Sequence, residues 1–433
     1  MNISVITLFP ELYTSFLQTS LIKRAVDQEK VSIDTYNLFS YVQPKARVDA
    51  PTFGHSAGMI LKPEIVQAAI EDVESKKGKA LKIFLSPQGK KMNQMRLHDL
   101  YERMQQAEQT LFFASRYEGV DARVEEEYAD ELISVGDFVV MGGDIPTMLL
   151  LEGLLRFVPG VVGRQESVAL DSFSGPLVDH PEYTKPVEWK GRIVPDIVRS
   201  GDHAQIAAWR KAQALQKTVT HHFEWLRSYP LEQVDIMQAA QYIPSHYVVL
   251  MHDQIIQKDK RIGTTSVTPM DIHDIARSSK TYGVKKYFIV TPLKDQQAIV
   301  QTLLGFWHDA QKGMQYNTTR HEALEHVQIC SSLQDVVTEI EKLENACPLL
   351  IGTSAKLDQN EKTITYFDQE KVWQRARPVL FVFGTGYGLS NELMKSFDYI
   401  LLPVKGFTQY NHLSVRSAVA IILDKWMGLA QKK

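Results

Sequence analysis

Short apolar runs separated by amphipathic stretches organise the first half of this chain. Residues 3–9 (ISVITLF) read as a strand and 11–28 as one amphipathic helix. A second strand is predicted over 31–39, a polar, glycine-bearing loop over 45–59, and a third strand over 81–91 that empties into a Pro-Gly turn. The run 110–115 (TLFFAS) reads as a buried strand opening on the charged turn Arg116-Tyr117-Glu118-Gly119-Val120-Asp121. A further apolar run, 138–141, reads as a strand ending in Gly142-Gly143, with a helix from Asp144 to about residue 157. Strands alternating with helices predict an α/β fold with a parallel sheet and helices on its faces.

From 159 to about 195 the texture changes to Gly, Pro, Ser and charge, which predicts a long connection of the kind that carries function or moves. Residues 202–222, continuing to about 240, read as helical. A strand at 246–252 then starts a second α/β pattern: a helix over 271–284, strands over 286–292, 348–355, 378–388 and 398–406, and an apolar-striped helix over 412–429. The expected domains are 1–165, a loop and helical subdomain over 166–243, and 246–433.

Composition adds bounds. The chain has 433 residues, 44% hydrophobic and 23% charged, as expected of globular material in more than one domain. A formal net charge of −3 gives no global field for nucleic acid, so any RNA contact must come from local basic patches. Cys330 and Cys347 make no metal or disulfide pattern. The first residues hold no basic segment ahead of an apolar core, and no apolar run reaches the roughly 18–20 residues of a membrane span. The expectation is a cytoplasmic protein without a membrane segment.

Two strands that end in glycine turns set backbone amides around one ligand at the carboxyl edge of a sheet. The plain alternative is two ordinary strand–turn–helix corners. Three charged residues stand in unusual places nearby: Glu118 in a turn after a buried strand, Arg156 at the end of an apolar helix, and Asp171 in a loop. Taken singly, Arg156 reads first as a helix-dipole partner and Asp171 as a cap.

In order along the chain come LFPE (8–11), LSPQG (85–89), RYEGVDARV (116–124), SVGDFVVMGGDIPTM (134–148), RFVPGVVG (156–163), LDSF (170–173), HPEYTKP (180–186) and SGDHAQIAAWR (200–210). With these blocks, residues 1–240 resemble the TrmD family, which uses S-adenosylmethionine to methylate N1 of the tRNA guanosine immediately 3′ to the anticodon. The resemblance implies a SPOUT methyltransferase domain with a trefoil knot, acting as a homodimer on the anticodon stem-loop of tRNA. It implies a donor site on Leu85, Ser86, Pro87, Gly89, Ser115, Arg116, Tyr117, Gly119, Val135, Gly136, Phe138, Val140, Gly142, Gly143 and Pro146. It further implies Asp171 as the general base for the N1 proton, Arg156 as the cation facing charge that develops at O6, and Glu118 near the donor's cationic end, linked to a Mg²⁺ dependence. No residue is assigned as a direct metal ligand.

Substrate contacts are expected at Asp49, Gly54, Gly58 and Met59 in the target loop, and at His203 and Arg210 in the helical subdomain, where a plain solvated basic face is the alternative. The target loop departs from the family pattern. Where the family has Asp-Asp-x-Pro-Tyr-Gly-Gly-Gly-Ala-Gly-Met, this chain has Asp49-Ala50-Pro51-Thr52-Phe53-Gly54-His55-Ser56-Ala57-Gly58-Met59. The family's Cys-Gly ahead of Arg-Tyr-Glu-Gly is Ala114-Ser115 here.

Residues 246–433 resemble a second, TrmH-like SPOUT domain, through 271–284 (DIHDIARSSKTYGV), 381–390 (FVFGTGYGLS) and 401–422. The resemblance marks Arg277, Gly384, Gly386, Gly388, Leu402, Asn411 and Ser414 as its site residues, with Asp271 in place of the family's asparagine. Its target is not legible. Two other readings stay open: an RNA-binding or dimerisation protein built from degenerate SPOUT folds, and a methyltransferase for a different RNA nucleotide.

Overall fold

The structure is a computed structural model that describes residues 1–55, 57–163, 171–356 and 362–429. It divides into two compact units, Met1–Gly175 and Pro176–Lys433. In the first unit the strands are β1 (Asn2–Thr7), β2 (Ser32–Asn37), β3 (Asp49–Pro51), β4 (Met59–Leu61), β5 (Ala80–Lys91), β6 (Gln109–Phe113) and β7 (Glu131–Ser134). Five form a parallel sheet in the order β2-β1-β6-β5-β7, while β3 and β4 pair as an antiparallel hairpin.

Alternate residues of each strand point to opposite faces. Val5, Phe112 and Ile83 join a core with helices Ser20–Asp27, Gln94–Gln106 and Asp144–Leu155. Their neighbours Ile6, Phe113 and Phe84 join a second core with helices Pro63–Lys77 and Ala122–Tyr128. Both sheet faces are therefore covered, as an all-parallel sheet requires.

The second unit begins with the hairpin of β8 (Glu188–Trp189) and β9 (Arg192–Ile193), followed by helices His203–His221, Phe223–Ser228 and Gln233–Ala240. Its later strands are β10 (His246–Met251), β11 (Ile255–Ile256), β12 (Ile262–Gly263), β13 (Lys286–Val290), β14 (Val327–Cys330), β15 (Leu349–Thr353), β16 (Thr363–Ile364), β17 (Val379–Gly384) and β18 (Tyr399–Leu401). Seven of these form a parallel sheet in the order β14-β13-β10-β17-β15-β18-β16. Leu215, Val219, Phe223 and Leu226 of the helical segment share one core with Val248, Leu250 and Trp426.

Numbered within each unit, the five inner strands have the same order. β2-β1-β6-β5-β7 and β13-β10-β17-β15-β18 are both second, first, fourth, third, fifth, with β14 and β16 added at the rims of the second sheet. In both, a late strand lies between two earlier ones.

Three local expectations are corrected. Residues 11–28 form two helices, Glu11–Leu17 and Ser20–Asp27, because Thr19 leaves the helical conformation (ψ 121°). The apolar run 138–141 is an exposed loop, with Val139 81% and Met141 91% accessible; the strand is Glu131–Ser134. The turn after residue 85 is a bulge inside β5, where Leu85 and Lys90 both pair with Ile133. No described helix is long and apolar enough to cross a membrane.

His246 is buried: its Nδ1 faces the Pro244 carbonyl at 2.7 Å, and its Nε2 accepts from the Trp426 indole at 3.0 Å. Burial holds the imidazoles of His246, His252 and His326 down at about 4. Unfolded, each titrates near 6.5. The unfolded chain therefore binds more protons between these values, and stability present above about pH 6.5 is lost as pH falls toward 4. The second unit's melting temperature should drop between pH 7 and pH 4.5 in calorimetry; an unchanged midpoint contradicts this.

Candidate active site

The carboxyl ends of β6, β5 and β7 lie side by side, and the loops leaving them enclose a cavity of about 480 Å³. From β5 it is lined by Leu85, Ser86, Pro87 and Gln88. The loop after β6 contributes Ser115, Tyr117, Glu118, Gly119 and Val120, and the loop after β7 contributes Val135, Phe138, Val139, Val140, Gly142 and Gly143, with Pro146 below. Of the residues expected at the donor site, Gly89, Arg116 and Gly136 stand behind this lining and the others are on it. The charged groups on the lining are Glu118 and Glu125, both acidic. Burial raises the Glu125 carboxyl above the ordinary glutamate range.

The loops are tied to one another. Gly143 N–H donates to the Ser115 carbonyl at 2.7 Å, and the Ser115 hydroxyl donates to the Leu85 carbonyl at 3.1 Å. A side chain at Gly143 would place its Cβ 2.8 Å from Ser115 N and 2.9 Å from Ala114 Cα, which backbone cannot yield.

Beneath them lies an ion pair that the sequence reading passed over. Arg116, expected at the donor site, turns its guanidinium inward: Nε and Nη2 reach Asp144 Oδ2 at 2.8 and 2.7 Å, and Phe9 lies under it at 4.8 Å. Asp144 is fully buried at the start of helix Asp144–Leu155, and its Oδ1 accepts from Thr7 at 2.5 Å and Tyr13 at 3.2 Å. Burial and the adjacent carboxylate push the Tyr13 phenol well up, so it remains a donor. The only sequence signal was an acid directly after Gly142-Gly143, which alone reads as a dipole partner.

The hairpin of β3 and β4 is stitched to the same place. Glu118 N–H donates to the Met59 carbonyl at 2.9 Å, and Leu61 N–H to the Gly119 carbonyl at 3.0 Å. Gly58 (φ +101°) packs on the Glu118 side chain, which a Cβ there would meet at 2.5 Å. Asp49 is buried and held by both Arg47 Nε and Nη2, at 3.0 and 2.9 Å, which lowers its carboxyl below the usual range. Arg47 was another omission. Gly54 sits exposed in the loop with φ +81°; Ser56 lies outside the described residues.

Arg156 closes helix Asp144–Leu155 and donates through Nη2 to Asp171 Oδ2. Both side chains are partly accessible, and neither lines the cavity. His203 opens helix His203–His221 and is exposed; Arg210, about two turns further along the same face, lies 3.7 Å from Glu182.

In the second unit Gly384 ends β17, and Gly386 and Gly388 occupy the loop leaving it. The Leu402 carbonyl accepts from the Tyr366 hydroxyl at 2.9 Å, and Asn411 Nδ2 donates to the Ala355 carbonyl at 2.6 Å. Ser414 caps helix Val415–Met427. Arg277 is exposed on helix Pro269–Thr281, whose buried Asp271 pairs with Arg416 at 3.3 Å.

Fold and site define an α/β enzyme unit with a ligand cavity at the carboxyl edge of its sheet, followed by a second unit of the same strand order. Residues 1–228 match the family model described as tRNA (Guanine-1)-methyltransferase TrmD, and residues 245–428 match that of a SAM-dependent RNA methyltransferase. The chain belongs to the TrmD family. It is 36% identical over 434 residues to a tRNA (guanine-N(1)-)-methyltransferase of Nitratidesulfovibrio vulgaris, covering 99% of both chains. The protein of that name from Oleidesulfovibrio alaskensis is 35% identical over 434 residues, again 99% of each. The Bacillus subtilis protein of that name is 37% identical over 235 residues, 54% of this chain and 95% of its own. The second unit is therefore shared with the first two relatives, while the third aligns with the first half.

Removing one member of a buried pair leaves the other uncompensated, at a cost of about 3 kcal/mol. Asp144→Asn should lower unfolding stability by roughly that amount and weaken S-adenosylmethionine binding, read by denaturant melts and calorimetric titration. Wild-type values in both would remove the structural role given to the pair.

Proposed function

We propose that this chain transfers a methyl group from S-adenosylmethionine to N1 of the guanosine immediately 3′ to the anticodon of tRNA, in the cytoplasm. Family membership supports the reaction class, tRNA (guanine-N1) methylation. The observation that carries the donor assignment is the cavity across β5, β6 and β7: bare backbone and apolar walls for a flat adenine, and two carboxylates for a cationic ligand. In this reading Leu85 to Gln88 and Val135 to Gly143 hold the adenosyl group, Glu118 faces the cationic end, and the bound donor supplies the electrophilic methyl carbon.

Guanine N1 carries a proton and attacks poorly until it is removed, which calls for a general base. Asp171 takes that proton. Arg156, already hydrogen-bonded to it, stabilises the negative charge that builds toward O6. N1 lies on the pairing edge, so the guanosine must leave the stack to react, and the hairpin at Asp49 to Met59 is placed to receive it beside Glu118. His203 and Arg210 meet the anticodon stem. Among the described residues no three His, Cys, Asp or Glu side chains gather to hold a metal ion.

Two further parts belong to this reading. Each α/β unit is threaded as a SPOUT trefoil knot, supported by the late strand lying between two early ones. The protein works as a homodimer, with Asp171 serving the cavity of the partner subunit. Val139, Met141, Ile145 and Leu149 are large apolar side chains left exposed in one chain, which supports a partner covering them. The second unit is a further S-adenosylmethionine-dependent RNA methyltransferase module by family, with Arg277 positioned for RNA.

Labelled donor with tRNA transcripts carrying guanosine or adenosine at that position tests the reading. Only the guanosine transcript should be labelled, with a primer-extension stop at that nucleotide. Asp171→Ala should cut the rate by about 10²–10⁴; equal labelling of both transcripts, or full activity in the variant, overturns the assignment.

A further inference from the structure

Every residue from 182 to 193, the hairpin of β8 and β9 included, is exposed. Glu188 pairs with Ile193 and Trp189 with Arg192, and the Val194 N–H donates to the Val187 carbonyl at 2.9 Å. Lys190 and Gly191 make the turn with φ of +52° and +74°, the left-handed pair that matches the twist of a tight hairpin. The ribbon is therefore held in shape by its turn and its ladder, without a core. Trp189 stands on it with 58% of its surface accessible, and Val187 and Ile193 are exposed as well. Helix His203–His221 anchors the approach to the ribbon: Tyr183 lies against Trp209 with ring centroids 6.2 Å apart, and Glu182 lies beside Arg210.

Directly opposed residues of an antiparallel pair share a face, and successive residues alternate. Trp189 and Arg192 thus share one face, while Glu188 and Ile193 lie on the other. Lys190 reaches over the Trp189 ring, its ammonium 4.8 Å from the centroid. In a chain of net charge −3, residues 185–193 hold Lys185, Lys190 and Arg192 against one acid, Glu188, and that acid is on the face away from Trp189. The next basic residue, Arg199, is taken by Asp196, whereas Lys190 and Arg192 have no acidic partner among the described residues.

A large exposed ring flanked by two free cations suits a flat group that carries negative charge on either side. A nucleotide in a single strand is such a group: its base stacks on the ring, and the phosphates before and after it meet the cations. A paired stem offers phosphates but no bare base. A protein partner fits less well, because lysine is depleted where proteins bury surface against each other.

We infer that the hairpin of β8 and β9 is an RNA contact: Trp189 stacks on one unpaired base of the anticodon loop, and Lys190 and Arg192 hold the phosphates next to it. The helix that anchors the ribbon carries His203 and Arg210, the residues given to the anticodon stem, so ribbon and helix grip the loop and the stem of one RNA. This contact adds affinity for a loop with bare bases and takes no part in the methyl transfer itself. The inference rests on the reading of tRNA as the substrate.

Filter binding of an anticodon stem-loop RNA to the full chain tests it. Trp189→Ala should weaken binding about tenfold, the loss of one base stack, with S-adenosylmethionine affinity unmoved; Trp189→Phe should keep most of the RNA affinity. Lys190→Ala with Arg192→Ala should lower the slope of log affinity against log salt by about 1.4. With 2-aminopurine placed at each unpaired loop position in turn, the fluorescence of one position should be quenched by the wild-type chain and not by Trp189→Ala. Unchanged affinity in Trp189→Ala, or an equal loss for a fully paired duplex, overturns the proposal. So does a variant whose only change is a lower oligomeric mass in light scattering, which would make the hairpin a protein contact. A wild-type chain with no affinity for the stem-loop overturns the substrate reading together with this one, whereas tight wild-type binding that Trp189→Ala leaves unmoved overturns this one alone.

Discussion

The first unit is organised around one buried carboxylate. Asp144 has no access to solvent, and its two oxygens are taken up by Arg116, Thr7 and Tyr13. These partners come from the loop after β6, the end of β1 and the first helix, so a single charge fixes three separate segments. An uncompensated carboxylate in that position would be expensive, and the cost enforces the geometry. With Arg116 drawn inward, Ser115 is set to accept from Gly143, and the loops from β6 and β7 close over the end of β5. The cavity is a consequence of that closure.

The same pinning explains why acids line the cavity while the loop's arginine does not. Arg116 spends its charge on Asp144, and Glu118 and Glu125 are left facing the space. Glu118 is also the residue on which the target hairpin rests, through its own N–H and through Gly58. The loop after β6 and the hairpin of β3 and β4 thus share one residue. In the second unit the loop leaving β17 is anchored by different means: Thr385 donates to the Met251 carbonyl and contacts Thr265, which faces buried His252.

Much of this was legible in the residues, and the failures have physical causes. Strands at 3–9, 110–115, 246–252 and 378–388 stand out because an all-parallel sheet buries both faces and so needs continuous apolar runs. That cue misleads at 138–141, an equally apolar run that is exposed, while the true strand Glu131–Ser134 starts with a charge and is short. Helix Pro63–Lys77 was passed over although Ile65, Val66, Ala69, Ile70 and Val73 mark its buried face at helical spacing. The roles expected of Arg156 and Asp171 came only from the resemblance, since each alone reads as a helix-dipole partner or a cap. Asp144 and Arg47 act through partners 28 and 2 residues away, and pairing across 28 residues is set by the fold, not by local pattern.

The central claim is that the carboxyl ends of β5, β6 and β7 hold the methyl donor. Hydrogen–deuterium exchange of the full chain with and without S-adenosylmethionine tests it most directly. Slowed exchange is expected in 85–91, 115–120 and 135–143, whose backbone would be covered by the donor. Unchanged exchange in those three segments under saturating donor would contradict the account.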